Sequence, residues 1–225
     1  MRRGDVALTR ETVVRSGLLV LDEVGLDSLT LRRIADALGV KPPALYWHFK
    51  NKQDLVDAMA TTLLLDGAGP IPPGMEWTAF ATMYAEGLRR LLRRYRDGAR
   101  MFAGTYLTDT AAYEKQEAAL GILTAAGFSV ADAAQALHTI YCYTIGFVIE
   151  EQAVHPRPGE RAPQYDVARR TARLKDKDLP KAVAAGPVMF EAFDARFTRG
   201  LAAIVAGVGA WRESAPPPSA TLHST

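Results

Sequence analysis

The most informative stretch of this sequence is residues 29–52, which read LTLRRIADALGVKPPALYWHFKNK. Thr30 is of a residue type that caps helix N-termini, and Gly39 is of the type that ends helices in a tight turn. The Pro42-Pro43 pair suits the first turn of a second helix, where a fixed φ angle and missing N–H groups are tolerated. Two short helices joined by such a turn predict a helix-turn-helix.

The side chains of this stretch divide into two groups. The apolar group is expected to form a small core shared by the two helices: Ile34, Ala35, Leu38, Val40, Leu45 and Phe49. The cationic and aromatic group is expected to lie outside, where cations contact phosphates and aromatic or imidazole side chains approach base edges. Its members are Arg32, Arg33, Lys41, Tyr46, Trp47, His48, Lys50 and Lys52.

An alternative interpretation places Tyr46 and Trp47 in a hydrophobic core and the lysines on a solvated face. Consecutive residues of a helix point about 100° apart, so the two aromatic side chains are not expected to be equally buried. The pattern therefore favours local DNA binding over a purely structural role.

The composition is that of an ordinary globular protein. Of 225 residues, 48% are hydrophobic and 23% are charged, which excludes disorder as a description of the whole chain. The net charge of +2 is too small for binding nucleic acid by bulk charge, so any DNA contact must be local. The single cysteine, Cys142, excludes an intramolecular disulfide and favours a reducing compartment. A polar N-terminus and the lack of an apolar run of about 18 residues predict a cytoplasmic protein without a membrane partner.

Apolar residues recur every three to four positions, which predicts an all-α protein. A Gly- and Pro-rich segment at 67–74 is predicted to separate a helix-turn-helix head, residues 1–66, from a helical body, residues 67–213, with a disordered tail at 214–225. Predicted helices cover residues 10–24, 31–38, 42–48, 51–66, 77–96, 99–104, 110–126, 130–155 and 188–211. Residues 156–178 are predicted to form a long surface loop that can include a helical turn.

Several segments together resemble the TetR family of transcriptional regulators, and within it the tetracycline-repressor subclass. The segments that carry the resemblance are 29–35, 38–40, 43–52, 93–99, 104–105, 127–128 and 146–152. The head matches this family without a gap from Thr30 to Lys52. The resemblance covers about residues 8–155 and, more weakly, the last helix.

The resemblance implies a homodimeric repressor that a small-molecule effector releases from a palindromic operator, with no cofactor and no resident metal ion. The two subunits would associate through a four-helix bundle. By this likeness Arg32 contacts a base edge or a phosphate and Lys52 holds a phosphate, and Thr30, Pro43 and Ala44 join the candidate DNA contacts.

Two positions in the second helix depart from the subclass. Pro42 and Ala44 stand where the subclass has a base-reading glutamine and a threonine. A proline cannot make the bidentate hydrogen bond that glutamine offers adenine. The operator sequence is therefore expected to differ.

Small residues on two predicted body helices are candidates for the dimer interface, because they permit close helix approach. They are Ala133, Ala134, Ala136, Gly200, Ala203 and Gly207.

The resemblance also places an effector site in the body. Ala68, Tyr84 and Ala119 stand where the subclass holds its drug with polar side chains, and Phe102 replaces a magnesium-coordinating histidine. Phenylalanine offers no lone pair to magnesium, so tetracycline–magnesium is not expected to be the effector. The remaining tunnel suits a flat, largely apolar molecule, such as an aromatic polyketide or another hydrophobic antibiotic.

The expected tunnel has an apolar lining with two retained polar anchors, Thr105 and Glu150. The full set is Leu64, Ala68, Tyr84, Leu88, Met101, Phe102, Thr105, Tyr106, Ala119, Leu120, Leu123, Tyr143 and Glu150. The alternative is that these are plain core residues, as most apolar positions of any helical bundle are.

Other clusters carry weaker indications. His138 and Cys142 have metal-ligand spacing on a predicted helix, but without a third ligand nearby we expect both to be buried core residues. Glu150, Glu151 and His155 are expected on a solvated face or at an interface. The arginines between positions 89 and 100 are expected to form ion pairs between head and body.

The sequence contains no nucleophile motif, no phosphate-binding glycine-rich loop and no metalloprotease motif, so nothing indicates an enzyme. Two alternatives remain open. One is an all-α small-molecule-binding or catalytic bundle without DNA binding, and the other is a regulator with the same head that activates transcription or responds to no ligand.

Overall fold

A computed structural model describes residues 8–67 and 69–214, without the side chains of residues 213 and 214. All regular elements within these residues are helices, as predicted. The α-helices are α1 Arg10–Val24, α2 Leu31–Leu38, α3 Lys52–Gly67, α4 Trp77–Leu92, α5 Gly98–Phe102, α6 Thr110–Ala125, α7 Val130–Val154, α8 Val167–Leu174, α9 Pro180–Phe190 and α10 Phe193–Gly209. Short 3₁₀ helices cover Pro42–Trp47, Pro163–Tyr165 and Ala210–Ser214.

Local capping signals set the helix bounds of the head. Thr9 and Thr12 form a reciprocal capping box at the start of α1, with N···Oγ1 distances of 2.8 and 3.1 Å. Thr30 caps α2 by accepting from the Arg33 N–H at 3.2 Å, and Gly39 ends it in the left-handed conformation at φ 70°. These bounds agree with the predicted ones.

The second helix of the helix-turn-helix is a 3₁₀ helix where an α-helix was expected. Pro42 and Pro43 carry no N–H, and the bonds that form are of the tighter three-residue type, from Ala44 N to Lys41 O and from His48 N to Leu45 O, both 2.9 Å. The predicted head core is confirmed: Ile34, Ala35, Leu45 and Phe49 are fully buried, and Leu38 and Val40 pack against them.

The body is a helical bundle in which α7 is central. It packs against α4, α5, α6 and α10. The distal core joins Trp77 and Phe80 of α4 to residues of α6, α7 and α10. Within the described residues, no single helix is both long and apolar enough to span a membrane, although α6 and α7 meet the criterion jointly as a pair bent by 116°.

The structure corrects the prediction for residues 156–211. The expected surface loop contains α8, whose N-terminus is capped by Asp166 accepting from Arg169 N at 2.7 Å. The expected last helix is two helices. Proline at position 187 lies in the last turns of α9, and the chain then passes through Ala192 at φ 50° before α10 begins. The predicted tail at 214–225 falls outside the described residues, apart from Ser214.

Head and body are joined by one continuous core and by a polar latch. Buried head residues such as Leu55 and Met59 share a cluster with Leu92 and Phe102 of the body. We define the latch as the contacts between residues 22–27, at the end of α1 and in the turn after it, and residues 96–100, in the α4–α5 turn and at the start of α5.

Three pairs of residues form the latch. The Asp97 carboxylate accepts from Leu26 N at 2.9 Å, and the Asp22 carboxylate accepts from Arg96 N at 2.9 Å. Arg100 pairs with Asp27, with its nearest N···O distance also 2.9 Å.

Candidate DNA interface and effector site

The 3₁₀ helix presents its aromatic residues to solvent. Tyr46 is 56% exposed and Trp47 is 89% exposed. The alternative that places them in the core is therefore wrong, and the two side chains are unequally buried, as expected. An apolar residue type so fully exposed on a basic helix-turn-helix is an arrangement suited to contacting another molecule.

The segment after the 3₁₀ helix is held in place from α1 and α3. Arg10 donates to the His48 carbonyl at 2.7 Å, and its guanidinium lies 4.2 Å from the Phe49 ring centroid. Asn51 accepts from Asp54 N at 2.9 Å and thereby starts α3, while the Asp54 carboxylate accepts from Lys50 N at 3.0 Å. These contacts from α1 and α3 fix the position of the segment that follows the exposed aromatic residues.

The remaining candidate DNA contacts lie on the surface of the head. Arg32, Arg33, Lys41, Pro43 and Lys50 are exposed, and Ala44 and His48 are half-buried. Two candidates also have an internal bond, since Thr30 caps α2 and Lys52 donates to the Leu26 carbonyl at 2.7 Å. Their contact with DNA stays a prediction.

The predicted effector residues differ in burial. Leu88, Met101, Phe102, Ala119 and Leu123 are buried; Leu64, Tyr84, Thr105, Leu120 and Tyr143 are half-buried; Tyr106 and Glu150 are exposed; Ala68 lies outside the described residues. Burial does not distinguish a tunnel lining from a plain core, so ligand contact also stays a prediction. Glu150, expected as a polar anchor, lies on the exposed side of α7.

Aromatic groups meet around Phe102. Its ring lies 6.3 Å from Tyr141, which stacks against His138 at 5.8 Å. Tyr84 packs against both the core that the head shares with the body and the distal core. Burial raises the pKa of its hydroxyl to about 12, with Tyr141 and Cys142 adding smaller effects. This hydroxyl stays neutral at physiological pH and can donate a hydrogen bond.

The segment that follows α5 is bonded to α3, the last helix of the head. Asp57 accepts from Tyr106 N at 3.2 Å, and Thr61 accepts from Thr108 N at 2.9 Å. Thr105 donates to the Phe102 carbonyl at 2.7 Å. Residues 105–108 thus connect the end of α5 to α3 by hydrogen bonds.

The body contains a buried ionic cluster that was not predicted from the sequence. Glu151 is 2% exposed and accepts from Arg89 at 2.8 and 2.7 Å, and Arg93 approaches it at 3.3 Å. Asp194 of α10 also pairs with Arg89 at 2.7 Å. Glu151 was expected on a solvated face or at an interface, and that was wrong.

The arginine run was only partly predicted. Arg89 and Arg93 pair within the body, whereas Arg100, the last arginine of the run, forms the expected ion pair with the head, at Asp27. The Arg89 guanidinium has a raised pKa, because hydrogen bonds and charges of Glu151 and Asp194 outweigh its desolvation. Spacing along α4 could not show that Glu151, 62 residues away, is the partner.

The His138–Cys142 pair was expected to be buried, but both residues are exposed on α7, with Sγ 3.4 Å from Nε2. Among the described residues, no three His, Cys, Asp or Glu side chains are grouped to hold a metal ion.

The small residues predicted for a dimer interface also differ in burial. Ala133 and Ala136 are buried in the core of their own chain, and Gly200 faces the Tyr143 ring. Ala134, Ala203 and Gly207 are exposed on α7 and α10.

Two depressions stand out on the described surface. One is a cavity of about 460 Å³ beside the Glu151 cluster, and the other is an open groove between α4 and α10 beside Trp77. Neither is lined by the residues predicted for the effector tunnel.

A helix-turn-helix with an exposed basic and aromatic face, carried on a helical body, defines a DNA-binding regulator. Residues 15–59 match the family described as bacterial regulatory proteins, tetR family, and residues 70–212 match the tetracyclin repressor-like C-terminal domain. The chain belongs to the TetR family. Members of this family act by binding DNA rather than as enzymes.

Curated and solved relatives agree with this assignment. The chain is 41% identical over 203 residues to the class A tetracycline repressor of Escherichia coli transposon 1721, covering 89% of this chain and 90% of that protein. A possible TetR-family regulator from Streptomyces coelicolor A3(2) is 36% identical, with a TM-score of 0.77 over 90% of this chain and 99% of that one. ActR from Streptomyces coelicolor, solved with actinorhodin, is 26% identical, with a TM-score of 0.77 over 91% and 97%.

Proposed function

We propose that this protein is a homodimeric repressor that binds a palindromic operator and is released by a flat, largely apolar effector. Residues 1–66 would read the DNA, and residues 67–213 would bind the effector and form the dimer. The observation that carries the proposal is the exposure of Tyr46 and Trp47 on a basic helix-turn-helix face.

The dimer is supported by the surface of α7 and α10. Ala134, Ala203 and Gly207 are exposed there, and small side chains let helices from two subunits approach closely. An isologous pair of these helices forms a four-helix bundle, which sets the spacing of two heads for half-sites about one helical turn apart.

Operator binding is tested with the full chain and its own upstream intergenic DNA, by fluorescence anisotropy at two or more salt concentrations with unrelated duplex as competitor. Arg32→Ala and Tyr46→Ala are expected to weaken specific binding by about tenfold or more, because each removes a base-edge or phosphate contact of about 1–3 kcal/mol. Arg173→Ala, which changes an exposed arginine on α8, is the matched control and should bind as the parent does.

Circular dichroism of each variant separates lost contacts from lost folding. Equal affinity of the parent and Tyr46→Ala would contradict the proposed interface. If the protein binds its upstream DNA no more tightly than the competitor, it does not regulate its own gene through that DNA. Selection of bound sequences from random genomic fragments would then decide whether any specific site exists.

The effector class is supported by the side chains at the predicted tunnel positions. Met101 and Leu123 are fully buried apolar groups, and the Tyr84 hydroxyl is a neutral donor among them. ActR, a relative with the same fold, was solved with actinorhodin. A flat aromatic molecule with carbonyl or hydroxyl groups suits this mixture.

Release would follow from a population shift transmitted by α3. Ligand between Leu64, Phe102 and Thr105 displaces the segment that is bonded to Asp57 and Thr61 of α3, and α3 is part of the head core. Changing operator occupancy from 1:99 to 99:1 requires a preference for the released state of about 5.5 kcal/mol. Equal operator affinity with and without bound effector would refute this mechanism.

Tetracycline with magnesium is the informative comparison ligand, because the class A tetracycline repressor was solved with 5a,6-anhydrotetracycline and magnesium. In this chain Phe102 cannot coordinate magnesium. A fluorescence titration should therefore show no tight, magnesium-dependent binding, while an aromatic polyketide quinone should bind regardless of magnesium. Tight binding that needs magnesium would contradict the proposed effector class.

A further inference from the structure

Cys142, the only cysteine of the chain, lies on the exposed side of α7 beside a histidine. Its Sγ is 3.4 Å from Nε2 of His138, which lies one helical turn earlier. In the tautomer that carries its proton on Nδ1, this imidazole accepts the thiol proton. A thiol in contact with a base is the arrangement that activates cysteine as a nucleophile.

Aromatic rings connect this pair to the proposed effector site. The His138 ring stacks on Tyr141, with ring centroids 5.8 Å apart and planes inclined by 19°. The Tyr141 ring in turn lies 6.3 Å from Phe102. The stacking orients the imidazole, and the series of rings places the thiol beside the region where a flat effector would bind.

Tyr84 supplies an independent sign that a ligand belongs here. The residue as a whole is half-buried, but burial of its hydroxyl, with smaller effects of Tyr141 and Cys142, raises the pKa of this group to about 12. After burial, Cys142 also raises the pKa of the Tyr141 hydroxyl, so the thiol and the two hydroxyls are neighbours. Among the described residues, none forms a hydrogen bond with the Tyr84 hydroxyl. Since buried hydroxyls are nearly always paired, this donor suits the carbonyl of a ligand.

A thiol, a base and a free hydroxyl donor together suit one chemical class of ligand. A thiol adds to a carbon–carbon double bond that is conjugated with a carbonyl, and a donor on that carbonyl stabilises the charge that develops there. A quinone carries this unit in a flat ring, and a flat ring also suits the aromatic surroundings of Phe102.

We propose that Cys142 captures a quinone effector covalently. The inference rests on the proposed function, because it concerns the same effector site. The thiol proton passes to Nε2 of His138, sulfur bonds to the ring carbon β to a carbonyl, and the electron pair of the double bond moves to that carbonyl oxygen. His138 releases its proton to solvent, and the oxygen takes one up. The proton on the attacked carbon then moves to the second carbonyl oxygen, which gives a hydroquinone thioether. The adduct contains every atom of both reactants, so the step needs no oxidant or reductant.

The experiment follows adduct formation between the full chain and 1,4-naphthoquinone without oxygen, by intact-mass spectrometry against time. The parent should gain one quinone, at a rate that saturates with quinone concentration and exceeds that of N-acetylcysteine by about tenfold or more, as expected for a bound reactant assisted by a base. Cys142→Ser should form no rapid adduct. His138→Gln should slow the reaction by about tenfold or more, and Tyr84→Phe by several-fold.

His155→Gln is the matched control, because this histidine of the α7 C-cap bonds to the Glu160 carbonyl and not to the thiol. It should react as the parent does. Circular dichroism verifies that each variant is folded. A rate equal to that of N-acetylcysteine, or one that does not saturate and is unchanged in His138→Gln, shows an accessible thiol only and overturns the proposal.

Failure of the proposed function is read separately with Cys142→Ser. If this variant binds operator and an aromatic ligand that is not an electrophile, while the parent forms no rapid adduct, the proposed function stands and covalent capture is overturned. If operator binding fails while the parent forms the saturable, His138-dependent adduct, the reverse holds.

Discussion

Replacing Glu151 with alanine should destabilise the body strongly. The change removes the acceptor of two bonds from Arg89, at 2.7 and 2.8 Å, and the carboxylate that lies 3.3 Å from Arg93. Arg89 is 8% exposed, so its charge stays in the interior with Asp194 as its remaining partner. Breaking a buried pair in this way costs about 3–5 kcal/mol, and the contact with Asp194 favours the lower end, about 3 kcal/mol.

The neighbouring residue Glu150 provides the control. It lies on the same helix and is exposed, so Glu150→Ala should change the free energy of unfolding by less than about 0.5 kcal/mol. Thermal unfolding at fixed protomer concentration measures both variants. For a chain of this length about 3 kcal/mol corresponds to a fall in Tm of about 6–12 °C.

A double variant tests the physical reason. Arg89→Met together with Glu151→Leu removes both charges, so no unpaired ion remains buried, and it should be more stable than Glu151→Ala. The reasoning is refuted if Glu151→Ala loses no more stability than Glu150→Ala.

Two further predictions concern burial and backbone space. Burial raises the pKa of Tyr84 to about 12, so its neutral form adds stability that is complete below the unfolded pKa of about 10 and is lost as pH rises through the folded pKa. Denaturant unfolding at pH 8 and pH 11 should show the parent losing about 1.4 kcal/mol more than Tyr84→Phe, and equal losses would contradict this pKa. Gly98→Ala would place a Cβ 2.1 Å from the Leu92 carbonyl oxygen, so it should lower Tm by several degrees. Gly121→Ala, in α6 with open space around it, should raise Tm slightly, and a similar fall in both would contradict the steric argument.

The head was predictable because its bounds depend on local chemistry. Thr30 and Gly39 act within three or four residues of themselves, so α2 ends where the sequence indicates. The aromatic residues on the 3₁₀ helix were recognised as candidate contacts because they stand beside cations. Only the helix type was missed, since two adjacent prolines permit either kind of first turn.

The body was less predictable because its decisive contacts are distant in sequence. Glu150 and Glu151 are adjacent and chemically identical, and their 100° separation on α7 decides which one meets Arg89. That choice also depends on Asp194, whose position follows from the break before α10. Residues 156–178 were predicted to form a surface loop that can include a helical turn. An eight-residue helix is marginal in isolation, and α8 is stabilised by packing against α9, which local propensity does not show.

The two attachments of the head differ in kind, which bears on how an effector can act. α3 shares an apolar core with α5 and is bonded to the segment after Phe102, so it follows movements in the body. The latch holds the α1–α2 turn through Asp97 and Arg100, and Asp97 itself sits at a left-handed φ of 55°, a conformation kept only where surrounding contacts enforce it. On the mechanism proposed above, a displaced α3 therefore rotates the head about the latched α1–α2 turn instead of translating it as a whole. In a dimer, such a rotation changes the distance between the two DNA-binding faces more than a small translation does.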